Sequence, residues 1–191
     1  MPLDASRNSL VLPMLGLLVE QPAHAYDLTR RLRERYEQQL PATRSTVSTL
    51  LKTLDRAGLV SACLPERSGN RPPRTTYQLT DAGVAEFRHR VEARLRDAPA
   101  ASTDFVMAVA YVAILPADQA TSVLDDRADR LDQELAALRA QPDGVIEAHM
   151  LEVAYWRTVV ATEVGWIRTL ARRIRSQDIA WPGSSPADRR D

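Results

Sequence analysis

Four polar residues in a row, Thr43, Arg44, Ser45 and Thr46, stand at the start of a segment that continues with Ser48, Thr49 and Lys52. Hydroxyls and cations at this spacing suit hydrogen bonding to phosphate oxygens and to base edges of a nucleic acid. Val47, Leu50, Leu51 and Leu54 recur at i, i+3, i+4 and i+7, so a helix here buries one side and presents those polar residues on the other. The same pattern also fits an ordinary solvated face. A second cluster sharpens the reading: Arg67, Asn70, Arg71 and Arg74 crowd a short turn-rich stretch between two strand-like runs, 59–64 and 74–79. A basic hairpin beside a polar helix suits phosphate or minor-groove contact.

The elements that must position these groups follow from periodicity and breakers. Leu10, Val11, Met14, Leu17 and Leu18 predict a first helix over about 6–20, with Pro13 marking a later start or a bend. Tyr26, Leu28, Leu32 and Tyr36 predict a second over 25–38, closed by Pro41. The third runs from Thr43 to Ala57-Gly58, where glycine stops it. Thr80 caps a fourth, 81–97. Helix, helix, helix, strand, basic loop, strand is the order of a winged helix-turn-helix. The expected fold is mainly α, with this winged domain over 1–97 and a helical domain over 103–178. DAPAAS, residues 97–102, reads as a linker, and 179–191 reads as a flexible tail.

In the second half, one helix is expected over 103–115 and another from Pro116 to about 140. Leu124, Ala128, Leu131, Leu135 and Leu138 alternate four and three apart along it. A last helix over 145–176 carries Ile146, Val153, Val160, Ile167 and Ile174 seven apart, widened by Met150, Trp156, Val164 and Leu170. Such a stripe needs a partner: a second copy, or in part the 116–140 helix of the same chain. We assign these five residues to dimerisation. Met107, Tyr111, Tyr155, Trp156 and Trp166 are candidates to line an effector pocket, although aromatics on a helical stripe more often serve as packing.

Composition sets the frame. Net charge is zero, but residues 1–97 hold 15 Arg and Lys against 11 Asp and Glu, and residues 98–191 hold 10 against 14. The imbalance fits a DNA-facing half joined to one with another task. The basic residues are arginines except Lys52. The apolar stretch from Leu10 to Val19 is too short to span a bilayer, and no signal peptide is read. A single Cys63 permits no intrachain disulfide, which fits a reducing cytoplasm. His24, His89, His149 and Cys63 lack metal-ligand spacing. His24 is expected beside Tyr26 in helix–helix packing. No nucleophile elbow and no Gly-rich phosphate loop occurs, so neither an enzyme nor a cofactor is expected.

Residues 10–83 resemble the PadR family of winged-helix transcription regulators. The resemblance rests on LGLLVEQPAHAYDL, then P-x-T-x-S-T-V-x-x-L-L-x-x-L-x-x-A-G-L-V, then R-x-x-Y-x-L-T-x-A-G, in that order. It implies a DNA operator as partner, with Tyr26, Thr43, Arg44, Ser45, Thr46, Ser48, Thr49, Lys52, Arg67, Arg71 and Arg74 as contacts. It further implies a homodimer built on the C-terminal helices, repression, and a response to small aromatic or apolar compounds. Family members usually show His-Gly-Tyr where this chain has His24, Ala25 and Tyr26. They usually show Tyr, at the DNA-facing edge of the helix, where it has Ser48. The second departure bears on sequence preference. Together with the neutral charge, it also favours an alternative: a winged-helix module that binds protein and not DNA.

Overall fold

The computed structural model describes residues 8–36, 40–63, 75–139 and 147–182. The chain divides into two compact units, residues 1–90 and 91–191.

The first unit opens with α1 (Val11–Glu20), buried on nearly every side from Val11 to Leu18. The helix begins at Val11 and not near Ser6. Asn8 stops it there, its side chain accepting from the Leu10 N–H at 2.9 Å and its carbonyl from the Val11 N–H at 3.1 Å. Pro13 therefore falls in the first turn, where a missing N–H costs nothing. Next come β1 (Ala23–His24), α2 (Ala25–Tyr36), α3 (Arg44–Arg56), β2 (Val60–Ala62), β3 (Thr76–Leu79) and the start of α4 (Asp81–Asp97). The sheet order is β1-β3-β2, all antiparallel, with Ala23 opposite Tyr77 and Val60 opposite Leu79. Leu28, Leu32, Val47, Leu50, Leu51, Leu54 and Phe87 fill the core. This is a winged helix with a three-stranded wing sheet. β1 is an addition to the two strands expected, and it corrects the reading of His24. That residue lies in the strand, its Nδ1 3.1 Å from the Thr75 carbonyl oxygen and 3.2 Å from Thr76 Oγ1.

Two glycines fix the join between α3, the sheet and α4. Gly58 has φ +72° just past α3, and the Leu59 N–H reaches back to the Leu54 carbonyl at 3.0 Å. That is the helix stop read from sequence. Gly83 packs so closely on the chain leaving α3 that a Cβ there would lie 1.9 Å from the Leu59 carbonyl oxygen. Thr80 holds the contact from the other side. It donates to the Gly58 carbonyl at 2.7 Å and accepts from the Gly83 N–H at 3.0 Å.

The second unit holds α5 (Thr103–Ala110), capped by Ser102, then a 3₁₀ turn (Val112–Ile114), α6 (Ala117–Arg139), a second 3₁₀ turn (Glu147–His149) and α7 (Leu151–Arg175). The single last helix expected from residue 145 is broken at Met150, which lies outside helical geometry. Ion pairs Asp125–Arg175 and Asp132–Arg168 show that α6 and α7 run antiparallel. Leu124, Ala128, Leu131 and Leu135 on α6 and Val160, Val164, Ile167, Ala171 and Ile174 on α7 are all buried. The heptad stripe is thus covered by α6 of the same chain. Val153 is half-buried, and Ile146 lies outside the described residues.

Arg127 and Glu163 sit inside this unit. Arg127 has no exposed surface and donates to Glu163 Oε1 at 2.5 and 2.9 Å and to the Ala98 carbonyl at 2.7 Å. Its guanidinium lies 4.0 Å from the Phe105 ring centre. Burial pulls its pKa below the ordinary arginine value, while Glu163 opposes the shift. The other oxygen of Glu163 accepts from the Ala101 N–H at 2.6 Å. Residues 97–102 are therefore not a free linker: Ala98 and Ala100 are buried, and the pair holds the Ala98 and Pro99 carbonyls and the Ala101 N–H. Nor is Trp181 part of a loose tail, because its indole N–H donates to the Leu115 carbonyl at 2.9 Å. Residues 183–191 lie outside the described residues.

Candidate nucleic-acid interface

The α3 face begins with a cap. Thr43 stands in extended conformation and its hydroxyl accepts from the Thr46 N–H at 3.1 Å, satisfying one of the free donors of the first turn. Thr46 Oγ1 lies 2.8 Å from the same hydroxyl and is half-buried. Arg44, Ser45, Thr49 and Lys52 are exposed, Ser48 is half-buried, and the four apolar residues behind them are buried. Of the described part of the predicted set, all but Tyr26 therefore lie on α3 or at its N-cap. Arg67, Arg71 and Arg74 lie outside the described residues.

Tyr26 departs from the reading that put it on the apolar side of α2. It is 52% exposed, whereas Leu28, Leu32 and Tyr36 are buried. Its ring lies under the Arg44 guanidinium, 5.3 Å from carbon to ring centre, within cation–π range. Sequence spacing gave no sign of this contact, because the residues belong to different helices.

Cations on α2 and on α3 differ in their surroundings. On α2, Arg30 pairs with Glu34 at 2.9 Å, and Arg31 and Arg35 share Glu20. The Arg35 hydrogen bond is the largest influence on the Glu20 carboxyl and, with the charges of Arg35 and Arg31, holds it below its ordinary range against the opposing effect of burial. On α3, Arg44 and Lys52 have no carboxylate partner among the described residues. They border an open groove of about 460 Å³, shared with His24, Tyr26, Ser48, Thr75 and Tyr77 and without an acidic side chain in its lining.

The five effector candidates do not come together. Met107 is buried, and Tyr111 is half-buried. Tyr155 is 67% exposed. Trp156 donates to Glu134 Oε1 at 3.1 Å and so ties α7 to α6. Only Trp166 lines an apolar groove, of about 490 Å³, with Phe105, Val106, Val109, Val159 and Thr162. It meets Phe105 edge to face at 6.3 Å. Among the described residues no group of three or more His, Cys, Asp or Glu could hold a metal ion. No helix among them is long and apolar enough to cross a membrane.

Residues 14–89 match the transcriptional regulator PadR-like family model. A PadR family transcriptional regulator from Eggerthella lenta is 32% identical, over 48% of this chain and 76% of its own, with TM-score 0.39. PadR of Bacillus subtilis, solved with operator DNA, is 21% identical over 87% of this chain and 99% of its own, with TM-score 0.45. The same protein solved with p-coumaric acid gives 20% identity, 88% and 99% coverage and TM-score 0.40. No curated protein matches the chain. The family match runs from within α1 to within α4 and so spans the winged helix. By the family match, residues 14–89 place this chain in the PadR-like family of transcriptional regulators.

Proposed function

We propose that the protein is a sequence-specific DNA-binding regulator that acts in the cytoplasm as a homodimer, represses its target, and releases it on binding a small aromatic or apolar effector. One observation carries the DNA-binding part. Arg44, at the α3 N-terminus, and Lys52, two turns on, stand exposed and without acidic partners among the described residues, while Arg30, Arg31 and Arg35 of α2 are paired with carboxylates. Helix N-terminal residues are the ones that reach base edges in the major groove.

The dimer reading moves to a different face of α7. With the heptad stripe covered by α6, the surface in need of a partner is the one bearing Leu151, Tyr155 and Trp166, all exposed. Ala154, Thr158, Ala161 and Gly165 lie between them, also exposed, and let a second helix approach closely. A protruding Trp166 beside an apolar groove is self-complementary, as a two-fold interface requires. Effector binding at this groove would shift the population of dimer geometries, and only some of these match successive major grooves.

Salt titration of binding to duplexes selected from a random pool tests the reading. Specific binding that weakens steeply with salt supports it; no binding to any duplex at low salt refutes it and leaves the protein-interaction alternative.

A further inference from the structure

Arg44 is the first residue of α3, and an aromatic neighbour biases where its guanidinium lies. Tyr26, in the first turn of α2, lies under the guanidinium at 5.3 Å. The ring is half exposed, so its packing serves that contact more than the core. A guanidinium drawn to a ring face keeps the N–H donors at its edge free for a ligand. No carboxylate among the described residues pairs with them; Glu34, which shares a groove with Arg44 and Tyr26, is paired with Arg30.

Beside this fork the helix leaves space. Arg44, Ser48 and Lys52 form one row, four residues apart, so its ends are about 12 Å apart along the axis. Ser48 is the small member in the middle, and the groove of about 460 Å³ opens there. A phosphate needs only a nearby positive charge and sets little demand on orientation. The edge of guanine, with O6 and N7 side by side, is matched by a planar fork of donors held in a fixed direction.

We propose that Tyr26 is a positioning residue that holds the Arg44 fork for a guanine edge in the major groove, and that Arg44 thereby determines specificity at one base position of each half-site. The inference rests on the DNA-binding reading above. It makes Tyr26 responsible for sequence preference and not for general affinity.

The test is selection of bound duplexes from a random pool, followed by competition binding, for the wild type, Tyr26→Phe, Tyr26→Ala and Arg44→Lys. The wild type selects guanine at a fixed position. Tyr26→Phe keeps the ring and keeps that choice. Tyr26→Ala and Arg44→Lys lose about tenfold discrimination at that position alone, with the salt slope on non-cognate DNA unchanged. Thermal melting checks that the variants fold, and Tyr26→Phe controls for the hydroxyl. The proposal falls if Tyr26→Ala weakens all duplexes equally, which would put Arg44 on phosphate, or if guanine preference survives it. A wild type that binds no duplex at low salt overturns the DNA-binding reading itself. A wild type that binds specifically, with Tyr26→Ala indistinguishable from it, overturns only this proposal.

Discussion

Glu163 accepts two hydrogen bonds from Arg127 through one oxygen and one from the Ala101 backbone through the other, so a fully buried guanidinium is matched by a carboxylate with both oxygens engaged. Breaking such a pair leaves an uncompensated buried charge. Glu163→Ala is expected to cost about 3–5 kcal/mol. Replacing both residues by methionine is expected to recover much of that loss. Urea unfolding of the two variants measures it, and a single-variant loss below about 1 kcal/mol would contradict the burial.

The α7 surface separates two kinds of substitution. Val160 has no exposure, so Val160→Asp should unfold the second unit whatever the oligomeric state. Trp166→Glu places a charge on the exposed face and should halve the mass seen by light scattering while helical circular dichroism is retained. A variant that keeps its dimer mass would exclude this face as the interface.

On α3, Thr49→Ala and Lys52→Ala touch exposed groups. Both should weaken DNA binding and leave the melting temperature within a degree or two, since exposed substitutions typically change stability by no more than about 0.5 kcal/mol. Lys52→Ala should also lower the salt slope by about one. A large drop in melting temperature would show that these side chains are packed.

Gly83 tolerates no Cβ, because the atom it would meet is the backbone oxygen of Leu59 and not a side chain that can swing away. Gly83→Ala should therefore cost about 1–3 kcal/mol or more by thermal unfolding. Gly58→Ala meets open space but a positive φ, and should cost about 1 kcal/mol. Equal and negligible effects would refute the close approach.

Glu20 gives a pH signature. Its folded pKa is depressed by Arg35 and then Arg31, so its contribution is present above the ordinary carboxyl value of 4.5 and is lost as pH falls through the lower folded value. The group is partly exposed and screened, so the effect is a few tenths of a kcal/mol to about 1. Glu20→Gln should be less stable than wild type near neutrality and equal to it in strong acid. A difference that persists in acid would point to packing and not charge.

Much of the fold was legible because it is local. The i, i+3, i+4, i+7 run in α3, the Gly58 stop and the Thr80 start of α4 each depend on residues within one turn, and these boundaries agree with the structure to within a residue. β1 was not legible: two residues have no period, and they are extended only because β3 pairs with them. Pairings between elements were equally hidden. Nothing in the spacing of Tyr26 and Arg44 announces a stack. A signal did exist for Arg127 and Glu163. Arg127 falls three after Leu124 and four before Leu131, and Glu163 falls three after Val160 and four before Ile167. Each is a charge of opposite sign at an apolar seam position, and reading the two helices against each other would have paired them. The heptad stripe was misleading for a related reason: periodicity demands a partner but does not say which helix supplies it.

The three tryptophans, at 156, 166 and 181, are all in the second unit, held respectively by Glu134, beside Phe105 and by the Leu115 carbonyl. Intrinsic indole fluorescence therefore reports on that unit alone. A quencher or a bound effector near α5 and α7 will be visible without any label. Melting of the winged helix will be silent at the same wavelengths and must be followed through its tyrosines or through the amide signal.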